Sequence, residues 1–479
     1  MEQLKALRTD RDRKNRRANP WTRLGLWGTL GLLLLSAACT QLRRVVHPAL
    51  EPAERAKAVR AEGIFRVPVS KRPLPDLATQ APLPQVLQYA FNNNGEIEAA
   101  YREWRAAIER VTMAGALADP KLDFSFLFDA SNLNSFSAAL NSFRLMVSQE
   151  IPASGKREAK AGQALAEAQA AGEKFRAARY GLQKQVVQAY ADLALNRALA
   201  AQTSDTLRLL GQSNEVALHR YHEGAETVLA DVRKLEVSIK TTQSEQRALL
   251  IAQQGLAAAL NGVLNRPAQA PIGALDLPRL ELPPLGDPEL LARAVRNNPG
   301  LAAMRKDVEA RGAAQVLAEL EKKPDYSIGG GLDNPLTPIL SAGMTLPINR
   351  ERIRAGIAEA LALRQAAQAR LRAAGHDTQA RLVMALASLH DAERVLADYR
   401  QQIIPKTEEL LDTQLSTYGS GGGEVLDILD TERLLIDFRK LALRAESDRV
   451  RASAEIEEIA GEDLFRYLPA EPPAKEPKR

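Results

Sequence analysis

The two halves of this chain carry the same supersecondary pattern, and neither copy can complete a fold by itself. Each half reads long helix, short strand, short strand, long helix. Asn93-Asn94-Gly95-Glu96-Ile97 aligns with Asn297-Asn298-Pro299-Gly300-Leu301, and Pro120 with Pro324, at a spacing of 204 residues. The prolines that close the second strand, Pro152 and Pro347, lie 195 apart, and Val186-Val187-Gln188-Ala189 matches Leu382-Val383-Met384-Ala385 at 196. Tyr221 and Tyr418 are 197 apart. Most of the drift falls between the strands, where a surface loop tolerates insertion. Four strands cannot close into a barrel, so a fold of this kind needs further copies of the chain.

The strands announce themselves by a change of period. Leu122, Phe124, Phe126 and Phe128 alternate with polar residues, and after a polar loop Phe143, Leu145, Val147 and Gln149 do the same. The second half repeats this more weakly with Tyr326, Ile328, Gly330 and Leu332, then Leu340, Ala342, Met344 and Leu346. The spacing predicts strands at about 120–130 and 140–152, then 324–332 and 339–347. Segments of roughly ten residues with one apolar and one polar face are the mark of a transmembrane barrel. Amphipathic hairpins packed on a soluble core would show the same alternation.

Around the strands the chain is helical: 45% of it is apolar, only 5% aromatic, and long stretches are built from Ala, Leu, Glu, Gln, Arg and Lys. No proline occurs between Pro152 and Pro267, and a continuous helix from Lys156 to Tyr221 is expected. At about 1.5 Å per residue it spans roughly 100 Å. Interruptions are expected in the second half at Gly375-His376-Asp377 and at Pro405. The expected organisation is an extended arm over 39–82, a first repeat over 83–265, a Pro-rich linker over 266–289, a second repeat over 290–462, and an unstructured tail over 463–479.

The formal charge is +5, but residues 1–38 hold eight Lys/Arg against three acids, so the remainder is neutral and a nucleic-acid partner loses its support. That N-terminus has the basic region and short apolar run, Leu24 to Leu35, of a cleaved export signal. Ser36-Ala37-Ala38-Cys39 follows, with the only cysteine of the chain. It resembles a lipoprotein lipobox, which implies cleavage before Cys39, acylation of its thiol and, with Thr40 next, outer-membrane sorting. An ordinary cleaved signal with an incidental cysteine is the alternative.

The turns between long helices are the most specific motif. Tyr221-His222-Glu223-Gly224-Ala225-Glu226-Thr227-Val228-Leu229-Ala230-Asp231 parallels Tyr418-Gly419-Ser420-Gly421-Gly422-Gly423-Glu424-Val425-Leu426-Asp427. Each is a helix stop, a Gly-permitted reversal and an acidic, apolar restart. These tips, at about 219–231 and 416–430, resemble the helical-hairpin tips of the TolC family of outer-membrane efflux proteins, and the likeness covers about residues 83–462. Gln149-Glu150-Ile151-Pro152-Ala153-Ser154-Gly155-Lys156-Arg157 is most similar to the heavy-metal-efflux branch. The resemblance implies a mostly α fold with a small transmembrane β part: a homotrimer whose twelve strands close one barrel above a periplasmic α-helical barrel. It implies the exit duct of a tripartite efflux system, fed by a periplasmic membrane-fusion adaptor and an inner-membrane pump of the resistance-nodulation-division type.

On that reading Gly224, Val228, Leu229, Gly421, Gly422, Gly423, Val425 and Leu426 form adaptor-docking tips, and Asp427 with Asp430 lines a periplasmic gate. The i, i+3 spacing of the two acids sets them on one helix face, where a solvated helix start would also hold them. Gly423 stands where some members of the family carry an arginine. No catalytic constellation is present: His47, His219, His222, His376 and His390 are scattered, and neither a metal site nor any cofactor is expected. The exit duct of a type I protein secretion system and a channel-less periplasmic coiled-coil scaffold lipoprotein are the alternatives.

Overall fold

The structure, a computed structural model, describes residues 50–126, 143–222, 229–282, 286–333, 337–419 and 425–468. Two compact units are formed: one from Met1–Ala53, Arg110–Ala164 and Val316–Ile357, the other from Glu54–Glu109, Leu165–Gln315 and Ala358–Arg479. Cys39, Gly224, Val228 and Gly421 to Gly423 lie outside the described residues.

The first unit is a four-stranded antiparallel sheet of β1 (Lys121–Phe126), β2 (Phe143–Ile151), β4 (Asp325–Asp333) and β5 (Thr337–Thr345), in the order β1-β2-β4-β5. Each half supplies a hairpin, and the two hairpins join through β2 and β4, from Arg144 opposite Asp333 to Ile151 opposite Tyr326. Pro152 follows β2 directly, where a proline cannot donate to a ladder, and Pro347 lies two residues past the end of β5.

The second unit is built from helices α1 (Leu50–Glu62), α2 (Leu83–Asn93), α3 (Gly95–Gly115), α4 (Lys156–His222), α5 (Leu229–Val263), α6 (Asp287–Asn297), α7 (Pro299–Leu320), α8 (Arg350–Asp398), α9 (Ile404–Gly419) and α10 (Val425–Ala460), of which α1, α3, α4, α7 and α8 also supply residues to the first. α4 runs unbroken for 67 residues. Between α2 and α3 the chain breaks at Asn94, which takes an extended conformation.

That break explains the Asn-Asn pair found in both halves. The Asn94 side-chain oxygen accepts from the Glu96 and Ile97 amides at 2.9 and 3.2 Å, while its Nδ2 donates to the Val263 carbonyl at the end of α5 at 3.1 Å. Asn298 does the same with the Leu301 amide at 2.7 Å and the Ile459 carbonyl at the end of α10 at 2.7 Å. Both receiving helices then turn off through a left-handed residue, Asn265 with φ 57° and Gly461 with φ 66°. One side chain thus caps one helix and ties down the end of another. Asn94→Ala and Asn298→Ala are each expected to lower stability by about 1–3 kcal/mol, from a lost cap and an orphaned carbonyl. Urea unfolding checks this, with Asn→Asp falling in between because it keeps the cap alone; unchanged midpoints would refute the tie.

Two local expectations are corrected. Within 39–82 the chain is not simply extended: Leu50–Glu62 is helical. It forms without an apolar period because Glu54, 4% exposed, accepts from the Trp104 indole at 3.1 Å and Ala58 is fully covered. Phe65 then stacks on Tyr101 at 5.0 Å, beside Trp104 stacked on Phe175 at 5.7 Å. Gly375-His376-Asp377 does not interrupt α8, whose i−4 hydrogen bonds carry the glycine. The interruption expected at Pro405 is present: a π-turn over Tyr399–Ile403 absorbs the missing amide, and α9 continues from it.

The linker 266–289 and the tail 463–479 are also tied in where they are described. β3 (Arg279–Glu281) pairs with β6 (Arg466–Leu468), and Ala274 bridges Gln80 in parallel. Glu457, 1% exposed, anchors the start of the tail. It accepts from the Leu464 and Phe465 amides, both at 2.9 Å, from the Tyr467 hydroxyl at 3.0 Å and from Gln183 Nε2 at 2.9 Å. Burial pushes the Glu457 carboxyl above the ordinary carboxylate range despite these four donors. The folded state then holds a proton that the unfolded chain has released, so this group costs stability as pH rises from the ordinary value through the raised one. Glu457→Gln is expected to flatten that part of the stability–pH curve; an unchanged slope would show that another group titrates there.

Candidate functional site

The register gives the sheet two chemically different faces. On one, Leu122 lies opposite Val147, Val147 opposite Gly330 and Gly330 opposite Leu340. Phe124 and Leu145, Tyr326 and Met344, and Ile328 and Ala342 continue the same face. In the protomer this surface is bare: Leu122 is 66% exposed, Phe124 57% and Leu340 92%. The other face runs Lys121–Ser148–Gly329–Ser341 and Ser125–Arg144–Asp333–Thr337 across the four strands, with small and polar side chains predominating. Arg144 pairs with Asp333 on it at 3.1 Å.

Among the described residues β1 and β5 are the outer strands, each with a row of unused backbone donors and acceptors. The sheet thus presents one apolar face, one polar face and two open edges. Where β4 begins, Lys156 is 3% exposed and sits between Asp325 at 2.9 Å and Glu321 at 3.5 Å, while the Ala153 amide donates to Asp325 at 2.8 Å. This clamp fixes the exit of β2 against the entry of β4. Among the described residues no helix is long and apolar enough to cross a membrane, and no group of three or more His, Cys, Asp or Glu could hold a metal ion.

At the other candidate site, Leu229 opens α5 with its side chain exposed, and Val425 and Leu426 form the first turn of α10. Asp427 and Asp430 are both exposed, and Ile428 between them is 8% exposed. Leu429 packs against Ala217, Val232 and Leu235 from α4 and α5. A groove of about 700 Å³ opens beside this contact, lined by Thr206, Leu210, Val237, Thr241, Asp430 and Ile436 among others. Asp430 borders the groove; Asp427 does not.

Sequence reasoning missed the polar ties around the groove. Lys440 pairs with Glu245 at 2.7 Å, Arg439 with Glu408 at 2.6 Å, and Gln202 Nε2 donates to the Ile436 carbonyl at 3.1 Å. Half-buried Glu432, on the groove wall, has its carboxyl pushed up by burial. No sequence signal joins residues 195 positions apart such as Glu245 and Lys440.

No family model matches the chain. The cobalt-zinc-cadmium resistance protein CzcC of Cupriavidus metallidurans is 22% identical over 408 residues, covering 83% of this chain and 94% of that one. The outer membrane protein VceC of Vibrio cholerae superposes with a TM-score of 0.66 at 17% identity, over 79% of this chain and 96% of that one. The open-state MtrE outer membrane channel of Neisseria gonorrhoeae gives 0.66 at 18% identity, over 79% and 88%. This chain has the TolC-family fold. The likeness covers both the four-stranded sheet and the long helices α4, α5 and α8 to α10.

Proposed function

We propose that three copies of this chain join β1 edges to β5 edges and close a twelve-stranded barrel in the outer membrane, and that the helical part lies in the periplasm. The trimer serves as the exit duct of a tripartite efflux system and passively conducts small toxic solutes, drugs or metal ions. The observation that carries this reading is the sheet: its bare apolar face suits lipid, its polar face suits a water-filled lumen, and its two free edges need partners. The likeness to CzcC, a cobalt-zinc-cadmium resistance protein, supports metal ions as cargo. A periplasmic membrane-fusion adaptor would dock on the tips around Gly224, Val228, Leu229, Gly421 to Gly423, Val425 and Leu426, and an inner-membrane pump of the resistance-nodulation-division type would supply the energy. Acylation of Cys39 would add a lipid anchor.

Purified protein is expected to give steady single-channel currents in planar bilayers; absence of current from correctly folded trimers would overturn the reading. At the gate, three copies of Asp427 and Asp430 concentrate six carboxylates on the axis, which attract cations and repel one another. Replacing both with Ala is expected to raise conductance and move the reversal potential in a salt gradient toward zero. Unchanged currents would place these acids away from the aperture.

A further inference from the structure

We infer that the strand exits of the second repeat bind the phosphate headgroups of anionic phospholipids in the leaflet nearest the helices. This inference rests on the membrane placement of the sheet proposed above. It comes from a difference between the duplicated positions. After β2, Ala153 is 5% exposed, Lys156 is held by Asp325 and Glu321, and Arg157 donates to the Gly115 carbonyl at 2.7 Å. The first repeat therefore spends its basic residues internally.

After β5 the arrangement is reversed. Ile348, 195 positions on from Ala153, is 83% exposed, and Leu346 before it is 62% exposed. Arg350, Arg352 and Arg354 follow, all exposed and none in an ion pair among the described residues. The register that sets Asp325 opposite Thr345 brings Lys322 and Lys323, also exposed, to the same end of the sheet. Segments 322–324 and 346–354 together hold five cations against one carboxylate, Glu351.

Leu346 and Ile348 follow β5 at the alternate spacing of Leu340, Ala342 and Met344, and both are exposed at the end of the sheet where the apolar face stops. Apolar side chains at an acyl boundary with arginines immediately beyond them match a phospholipid: chain beside Leu346 and Ile348, phosphate on the guanidinium forks. A surface meant for another copy of the chain would need carboxylates opposite these arginines. A surface meant only for water would not expose Ile348.

The test places a tryptophan at Ile348 in the full-length protein and reconstitutes it with lipids brominated on the acyl chain, the parent protein supplying the background. Brominated phosphatidylglycerol is expected to quench this tryptophan at least about twofold more than brominated phosphatidylcholine, given the attraction of each basic residue to an anionic surface. The excess is expected to vanish when Arg350, Arg352 and Arg354 are changed to Gln. Equal quenching by the two lipids before that change would overturn the inference. A second variant, Leu340→Trp in the middle of the apolar face, separates the remaining outcomes. Quenching at 340 but not at 348 means that another copy covers Ile348, which overturns the inference and leaves the channel intact. Quenching at neither position removes the sheet from the bilayer and overturns both. Detergent-resistant trimers verify that each variant has assembled.

Discussion

Leu340→Arg is expected to keep the protein out of the outer membrane. Leu340 is 92% exposed at the centre of β5, on the face it shares with Tyr326, Ile328 and Met344. An arginine at the lipid-facing midplane of a barrel costs about 2–4 kcal/mol, and the three copies of the proposed trimer would bring this to roughly 6–12 kcal/mol. That approaches the whole stability of an ordinary domain. Ser125→Arg is the matched control, because Ser125 lies in the row of Arg144, Asp333 and Thr337 on the polar face. Membrane fractionation and bilayer conductance should separate the two: L340R absent and silent, S125R present and conducting. Equal insertion would show that the faces are assigned wrongly.

Gly331→Ala should unseat the join between the two repeats, while the same change at the adjacent Gly330 should be harmless. A Cβ at Gly331 would overlap the Leu145 carbonyl oxygen and stand 2.9 Å from Met146 Cα, both backbone atoms of β2. Neither can move without opening the β2–β4 ladder, which among the described residues is the one pairing that links the two hairpins. At Gly330 the nearest atoms are Leu340 Cδ2 at 3.5 Å and the Ile339 carbonyl oxygen at 3.7 Å, which is ordinary contact. Overpacking costs about 1–3 kcal/mol where neighbours can adjust, and more is expected where they are backbone. The measurement is the fraction of detergent-resistant trimer on refolding. If the two alanine variants assembled equally, β2 and β4 would not approach as closely as described.

These contrasts also show what was legible beforehand. The phase of β1, β2, β4 and β5 could be read from alternation, because side chains in a strand point to opposite faces with period two and one register slip would invert the pattern. The unbroken run of α4 followed from composition and the absence of proline. The helix Leu50–Glu62 was not legible, since its stabilising contacts are with Tyr101 and Trp104, some 43 and 50 residues away, and not with its own periodic face. Glu457 gave no signal either: a carboxylate in a charged helix looks solvated until four donors converge on it. At the tips, spacing alone set Asp427 and Asp430 on one helix face, yet only the packing of α4, α5 and α10 decided that Asp430 borders the groove.

Taken alone, the order of residues determined that this chain is a duplicated helix–strand–strand–helix unit with one apolar face per strand, since local period and punctuation need no knowledge of distant partners. The tertiary structure decided that β2 lies beside β4, which leaves β1 and β5 as the outer strands, and that among the described residues the arginines after β5 form no ion pair while the basic residues after β2 are consumed. Pairing across more than 150 residues is settled by closing loops and satisfying backbone groups together, and no local stretch of sequence encodes that balance.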